Sequence, residues 1–215
     1  MSPINNNDAE FAYGAGQIDP VKALNPGLIY EGSEMDYIIY LCGLGYDKII
    51  LQLISGDDIS CSNTTNSTAR DLNYPSFALK APHPNSHISW SFKRTVTNVG
   101  SPTSTYRAFL TAPNGLEVSV VPDVLSFSSL GEQQTYVLTI NGALGEESIG
   151  SASLVWDDGV FHVRSPIVVY DERAEKVETS PNIFVIVAIT IGFLLLIATI
   201  TLIYVKLYRK RYVNP

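Results

Sequence analysis

Cys42, Cys61, Asn63 and Asn66 are the residues of this 215-residue chain whose types and spacing speak most directly of chemistry. Cys42 and Cys61 are the only two cysteines. An even number in an exported chain is most simply one disulfide, whose loop would contribute about 3 kcal/mol in the chain-entropy account. Two buried free thiols are the alternative. Asn63 and Asn66 each open an Asn-x-Thr sequon within the polar, loop-like stretch CSNTTNSTARD, so glycosylation at one or both is expected.

Catalytic groups are harder to assemble. A serine hydroxyl becomes a nucleophile only beside a positioned base, and acyl transfer also needs an oxyanion hole. Ser2 has no such setting, and pairing His162 with Asp158 has no motif behind it. His83, His87 and His162 have no metal-ligand spacing. Gly14-x-Gly16 lacks the third glycine and the preceding strand of a dinucleotide loop, and reads as a tight turn or a close backbone approach. The sequence therefore assigns no catalytic residue, no cofactor-binding residue and no metal site. A formal net charge of −7 also argues against a nucleic-acid partner.

The elements around these residues fall into two regimes. Asp19 and Pro20 open a helix of little more than one turn that Asn25-Pro26-Gly27 stops. Ser33 and Asp36 make a capping-box start for MDYIIYLC, ended by Gly43, and Asp47 caps KIILQLIS, which runs to Gly56. These two amphipathic helices have apolar faces with little besides each other to cover, so they call for a partner surface. From Asp71 the period changes to two: Leu72, Tyr74, Phe77 and Leu79 form one series, Ile88 to Val96 a second and Tyr106 to Leu110 a third. Further series follow to Tyr170, with Asp158-Gly159 as a hairpin turn. Seven or eight short strands in about 100 residues indicate a β-sandwich of immunoglobulin or fibronectin type III kind, and the missing Cys-Trp-Cys spacing favours the second. Arg94, on the apolar face of its strand, reads as a snorkelling or cross-strand-paired arginine in preference to a binding residue.

The C-terminal region reads differently again. Ile183 to Val205 carries no charge and as a helix measures about 35 Å, enough for a bilayer core of roughly 30 Å. All 21 acids precede it, and Lys206, Arg209, Lys210 and Arg211 follow it. A single-pass anchor is expected, with the N-terminal part extracellular or lumenal and the basic tail cytoplasmic. Met1 to Glu10 is polar with no apolar signal core. The simplest resolution is a C-terminal piece of a longer secretory precursor.

EFAYGAGQIDPVKALNPGLIYE, DYIIYLCGLGY, LISGDDISC, DLNYPSFAL, RTVTNVG and SASLVWDDGVFHVRSPIVV, in this order, closely resemble the C-terminal third of plant subtilisin-like serine proteases of the cucumisin type. The resemblance implies that the first stretch finishes a subtilisin-like α/β catalytic domain and that DLNYPSF to RSPIVV is a fibronectin type III-like domain packed against it. It also implies a Cys42–Cys61 disulfide, from the LCG and ISC contexts. The family's Gly-Thr-Ser-Met nucleophile motif is absent, so no catalytic residue carries over. Gln17 stands where many members have histidine, and the apolar C-terminal run departs from members that end after RSPIVV and are secreted.

The expected fold is thus mainly β: a fibronectin type III-like sandwich at 71–170, preceded by a small helical remnant of a catalytic domain at 1–60 and a glycosylatable loop at 61–70. A juxtamembrane linker at 171–182, one transmembrane helix at 183–205 and a basic tail at 206–215 follow. The expected function is that of a non-catalytic C-terminal fragment of a subtilisin-like serine endopeptidase, with the absent catalytic domain as packing partner. The alternatives are a stand-alone single-pass membrane interaction module and a truncated version of an intact membrane-anchored serine protease.

Overall fold

Period-two alternation places Tyr136, Leu138 and Ile140 of one strand on a single face, and all three are fully buried. In the computed structural model, which describes residues 8–61, 68–174 and 183–212, this strand is the centre of the fold. The chain divides into two units, Met1–Ala174 and Glu175–Pro215.

The first unit is built on two facing sheets. One has the order β1 (Leu28–Ile29), β3 (Ile88–Asn98), β7 (Gln133–Gly142), β5 (Leu116–Val121). The other has the order β2 (Phe77–Lys80), β9 (His162–Tyr170), β8 (Ile149–Asp157), β4 (Ser104–Thr111), β6 (Val124–Phe127). Every pairing is antiparallel except β2 with β9. Between the sheets, aromatic rings meet edge to face: Phe77 on Phe92 at 5.3 Å, Tyr106 on Phe127 at 6.0 Å and Tyr136 on Trp156 at 5.2 Å.

Two details differ from the sequence reading. Leu72 and Tyr74 do not join the first strand, because the Asn73 side chain there bonds to β3 and breaks the extended run. Asp158-Gly159 sits inside a longer turn, in which Asp158 Oδ1 accepts from the amides of Val160 and Phe161 and closes the loop between β8 and β9.

The helices form where the caps direct. Asp19 Oδ1 accepts from Val21 and Lys22 at the start of α2 (Pro20–Ala23), which follows the single turn α1 (Glu10–Tyr13). Ser33 and Asp36 make the capping box of α3 (Glu34–Gly43). Asp47 caps α4 (Lys48–Ser55), and Gly56 ends it in the left-handed region. Ile38 and Leu51 are buried, yet neither belongs to the sandwich core, so α3 and α4 hold a small satellite core of their own.

The second unit contains α5 (Ile183–Tyr212), whose side chains are described over 191–206. Among the described residues no helix is long and apolar enough to cross a membrane. The expected transmembrane helix is therefore corrected, and with it the single-pass membrane partner and the localisation split between an extracellular or lumenal part and a cytoplasmic tail.

Candidate docking interface

The stretch Gly27–Glu31 is where the helical segment becomes part of the sandwich. Asn25-Pro26 stops α2, and Gly27 turns the chain at φ +80, where a Cβ would lie 2.7 Å from the Phe161 side chain. Leu28 and Ile29 then pair with Asn98 and Thr97 as an edge strand, and the Val99 amide donates to Gly27 O. Leu28 is buried in the sandwich core.

Tyr30 follows, its ring packed against the core and its hydroxyl in the interior. That hydroxyl shares hydrogen bonds with Tyr136 Oη at 2.8 Å and Ser165 Oγ at 3.0 Å, so one residue ties β1 to a strand of each sheet. Burial pushes the Tyr30 phenol above its ordinary range, outweighing the two hydrogen bonds, and pushes Tyr136 up as well. Glu31 completes the seam: its carboxylate accepts from Thr97 Oγ1 and Gln133 Nε2, and its carbonyl accepts from Asn73 Nδ2. Asn73 also donates to Thr95 O and accepts from Thr95 N, acting as a one-residue strand beside β3.

Arg94 is buried, so it does not snorkel, and it stands opposite Tyr136 across the β3–β7 pair. Its Nε donates to Tyr74 O and its Nη1 to Arg70 O and Lys93 O, while the guanidinium lies over Phe77 at 4.9 Å and Phe92 at 5.5 Å. Burial lowers its pKa from the usual arginine value. The guanidinium thus fixes the turn before β2 through backbone carbonyls.

The N-terminal helices touch the second sheet through Glu10. Its carboxylate is buried and accepts from Ser151 Oγ at 2.8 Å and Arg164 Nη2 at 3.5 Å, Arg164 also donates to Ala15 O, and Phe11 meets Tyr170 edge to face. Away from these contacts the helices turn apolar side chains outward. Ile18 is 82% exposed, Leu24 88% and Leu53 80%, and Val21 and Ile49 are nearly as open. A surface helix normally turns such a stripe toward a core.

The remaining sequence-predicted residues are accounted for as follows. Cys42 and Cys61 are joined in a disulfide with Cα atoms 5.6 Å apart, linking α3 to the chain beyond α4. Asn63, Asn66 and Ser2 lie outside the described residues. His162 Nε2 lies 3.1 Å from the Asp157 carboxylate, across the β8–β9 pair, while Asp158 serves the turn. Among the described residues no group of three or more potential ligands could hold a metal ion. The Tyr30, Glu31 and Asn73 seam had no signal in the sequence beyond their place in the NPGLIYE and DLNYPSF stretches.

Two facing sheets of mostly antiparallel strands with this core define a fibronectin type III-like sandwich, and the Fibronectin type-III domain family matches residues 71–169. The observed sandwich is larger than the match, since β1 lies well before residue 71. The chain is 47% identical over 164 residues to the subtilisin-like protease SBT4.12 of Arabidopsis thaliana, covering 75% of this chain and 22% of that protein. It is 45% identical over 164 residues to SBT4.13, also 75% and 22%, and 48% identical over 164 residues to SBT4.8, 75% and 23%, both from the same plant. This bears out the resemblance to the C-terminal part of plant subtilisin-like proteases, and the chain spans under a quarter of the length of these relatives.

Proposed function

We propose that this chain is the non-catalytic, C-terminal accessory part of a subtilisin-like serine endopeptidase and that it works packed against a subtilisin-like catalytic domain. The observation that carries this reading is the outward apolar side of α2 and α4, on a chain whose sandwich buries its own apolar residues well. The length of the relatives supplies an occupant for that surface. On this reading residues 1–60 close the catalytic domain, 71–170 form the fibronectin type III-like domain, and 61–70 carries a glycan on Asn63 or Asn66. The chain contributes no nucleophile, base or oxyanion donor. It contributes a rigid abutment: Gly27–Glu31 is bonded into the sandwich, so the end of the catalytic domain is held where the sandwich stands.

The test has two arms. The purified chain is exposed to a serine-directed fluorophosphonate, and no covalent labelling is expected; labelling overturns the non-catalytic reading. The catalytic region of the Arabidopsis relative is then supplied in trans, and association is measured by calorimetry. Leu24→Asp and Leu53→Asp, at exposed positions, should weaken association at least tenfold without moving the urea midpoint of the chain. No association, or association indifferent to both substitutions, refutes the docking surface.

A further inference from the structure

Asn-Gly occurs twice in this chain, at Asn114-Gly115 and at Asn141-Gly142. In such a pair the side-chain amide carbon and the next backbone nitrogen can close a five-membered ring, and glycine has no Cβ to obstruct the approach. Closure needs a backbone N–H that solvent can reach and an asparagine side chain free to rotate onto it. The fold gives both to one pair and withholds them from the other.

The two pairs are neighbours at one end of the sandwich. Leu116 stands opposite Gly142 across β5 and β7, the Ala143 amide donates to Gly115 O, and a Cβ on Gly142 would strike that same oxygen. Asn141 belongs to β7, half-buried and opposite Glu117. Thr95 turns both backbone groups away from β7, so by alternation the even-numbered residues of β3 bond to it. Gly142, opposite Ile88, therefore has its amide in that ladder. Asn114 and Gly115 instead form the exposed turn between β4 and β5. This turn is closed by Leu116 N donating to Pro113 O. Among the described residues, neither the Gly115 amide nor the Asn114 side chain has a hydrogen-bond partner. Glycine is fixed at 115 by φ +88 and by Ala143 O, 2.5 Å from where a Cβ would stand.

We propose that Asn114 is a site of spontaneous modification, losing its side-chain amide through a succinimide, while strand pairing protects Asn141. Hydroxide removes the Gly115 amide proton, and the nitrogen bonds to Asn114 Cγ. The Cγ–Nδ2 bond breaks, and the leaving nitrogen takes up a proton from water and departs as ammonia. A second water then opens the ring. Addition at Cγ gives aspartate; addition at the Asn114 backbone carbonyl gives isoaspartate, in which the main chain runs through Cβ and Cγ. In sum one water is consumed and one ammonia released, with no change of oxidation state. Either product adds one carboxylate to a chain of net charge −7. The isoaspartyl product also lengthens the turn by one carbon beside Leu116, which fills the end of the core.

The experiment incubates the whole chain in mildly alkaline buffer and follows both pairs by peptide mass spectrometry, with electron-transfer fragmentation separating aspartate from isoaspartate. In the folded chain Asn114 should gain one mass unit at least tenfold faster than Asn141, and in urea the two rates should come within threefold of each other. Asn114→Gln, whose ring would need six members, should slow the reaction at 114 at least tenfold and leave the urea midpoint of the fresh chain unchanged. An aged sample should unfold at lower urea than fresh Asn114→Asp, which carries the charge without the extra carbon. Equal rates at the two pairs in the folded chain overturn the proposal, and a tenfold difference that persists in urea overturns strand pairing as its cause. An aged sample that unfolds with Asn114→Asp overturns the lengthened turn. None of these readouts involves a catalytic domain, so they stand apart from the proposed function.

Discussion

Replacing Tyr30 by phenylalanine removes one oxygen and tests whether the segment before the fibronectin domain is structurally part of it. The Tyr30 hydroxyl is bonded to Tyr136 Oη at 2.8 Å and Ser165 Oγ at 3.0 Å, and both partners are fully buried. Its loss leaves two buried hydroxyls short of a partner. Each such group costs about 1–3 kcal/mol, and allowing Ser165 to rotate toward another acceptor puts the total at about 2–4 kcal/mol. Tyr136→Phe alone leaves Tyr30 bonded to Ser165 and should cost about 1–2 kcal/mol. In the double variant only Ser165 is orphaned, so the combined loss should fall short of the sum by about 1–2 kcal/mol. The assay is urea unfolding of the full chain, comparing midpoints at constant m. A Tyr30→Phe effect below about 0.5 kcal/mol, or strict additivity in the cycle, would refute the claim that these hydroxyls form one dry unit across the sheets.

Two further outcomes follow from the same structure. Arg173, by hydrogen bonds to the buried Asp171 carboxylate, holds its pKa below the ordinary value of 3.8, while the same guanidinium donates to the carbonyls of Gly145, Glu146 and Glu147. A depressed folded pKa means stability present above the unfolded pKa and lost as pH falls through the folded one. The urea-midpoint gap between wild type and Asp171→Asn should therefore be constant above about pH 4 and close below it, and a gap that widens in acid would contradict the assignment. For the disulfide, Cys42→Ser with Cys61→Ser should expose the chain between α3 and α4 to limited proteolysis while the sandwich midpoint holds within about 0.5 kcal/mol, because Ile38 and Leu51 lie outside the sandwich core. A matching fall in that midpoint would mean that the two cores unfold together.

What the sequence made legible was what local physics decides. Asp19, Ser33 and Asp47 cap helices because a side-chain oxygen close to free amides needs no help from the rest of the fold. The strands were readable because alternation of apolar residues records burial on one face, as along β7. The seam was not readable, since the value of Tyr30 lies in two hydroxyls more than a hundred positions away, and Asn73 earns its role only beside Thr95. Arg94 was half readable: alternation located it on the inner face as a structural residue, but only the fold shows the three carbonyls and two rings there that receive it. The apolar run near the C-terminus carried an expectation of a membrane-crossing helix, and among the described residues no helix is long and apolar enough to cross a membrane.

The seam also bears on where a domain ends. A family match that starts at residue 71 suggests that the sandwich could be separated from everything before it. The structure argues otherwise, because Leu28 fills the core, Ile29 pairs with Thr97, and Tyr30 and Glu31 satisfy polar groups on β3, β7 and β9. Cutting at residue 71 would uncover the end of β3 that β1 covers and leave Tyr136 and Ser165 without the hydroxyl they share. The chain that leaves the helical segment is therefore not a linker but a strand, and a linker's freedom is what it lacks. Any catalytic domain that ends in this segment inherits that constraint: the last residues it orders are already fixed by a neighbour's core, so the two must form together or the junction pays twice.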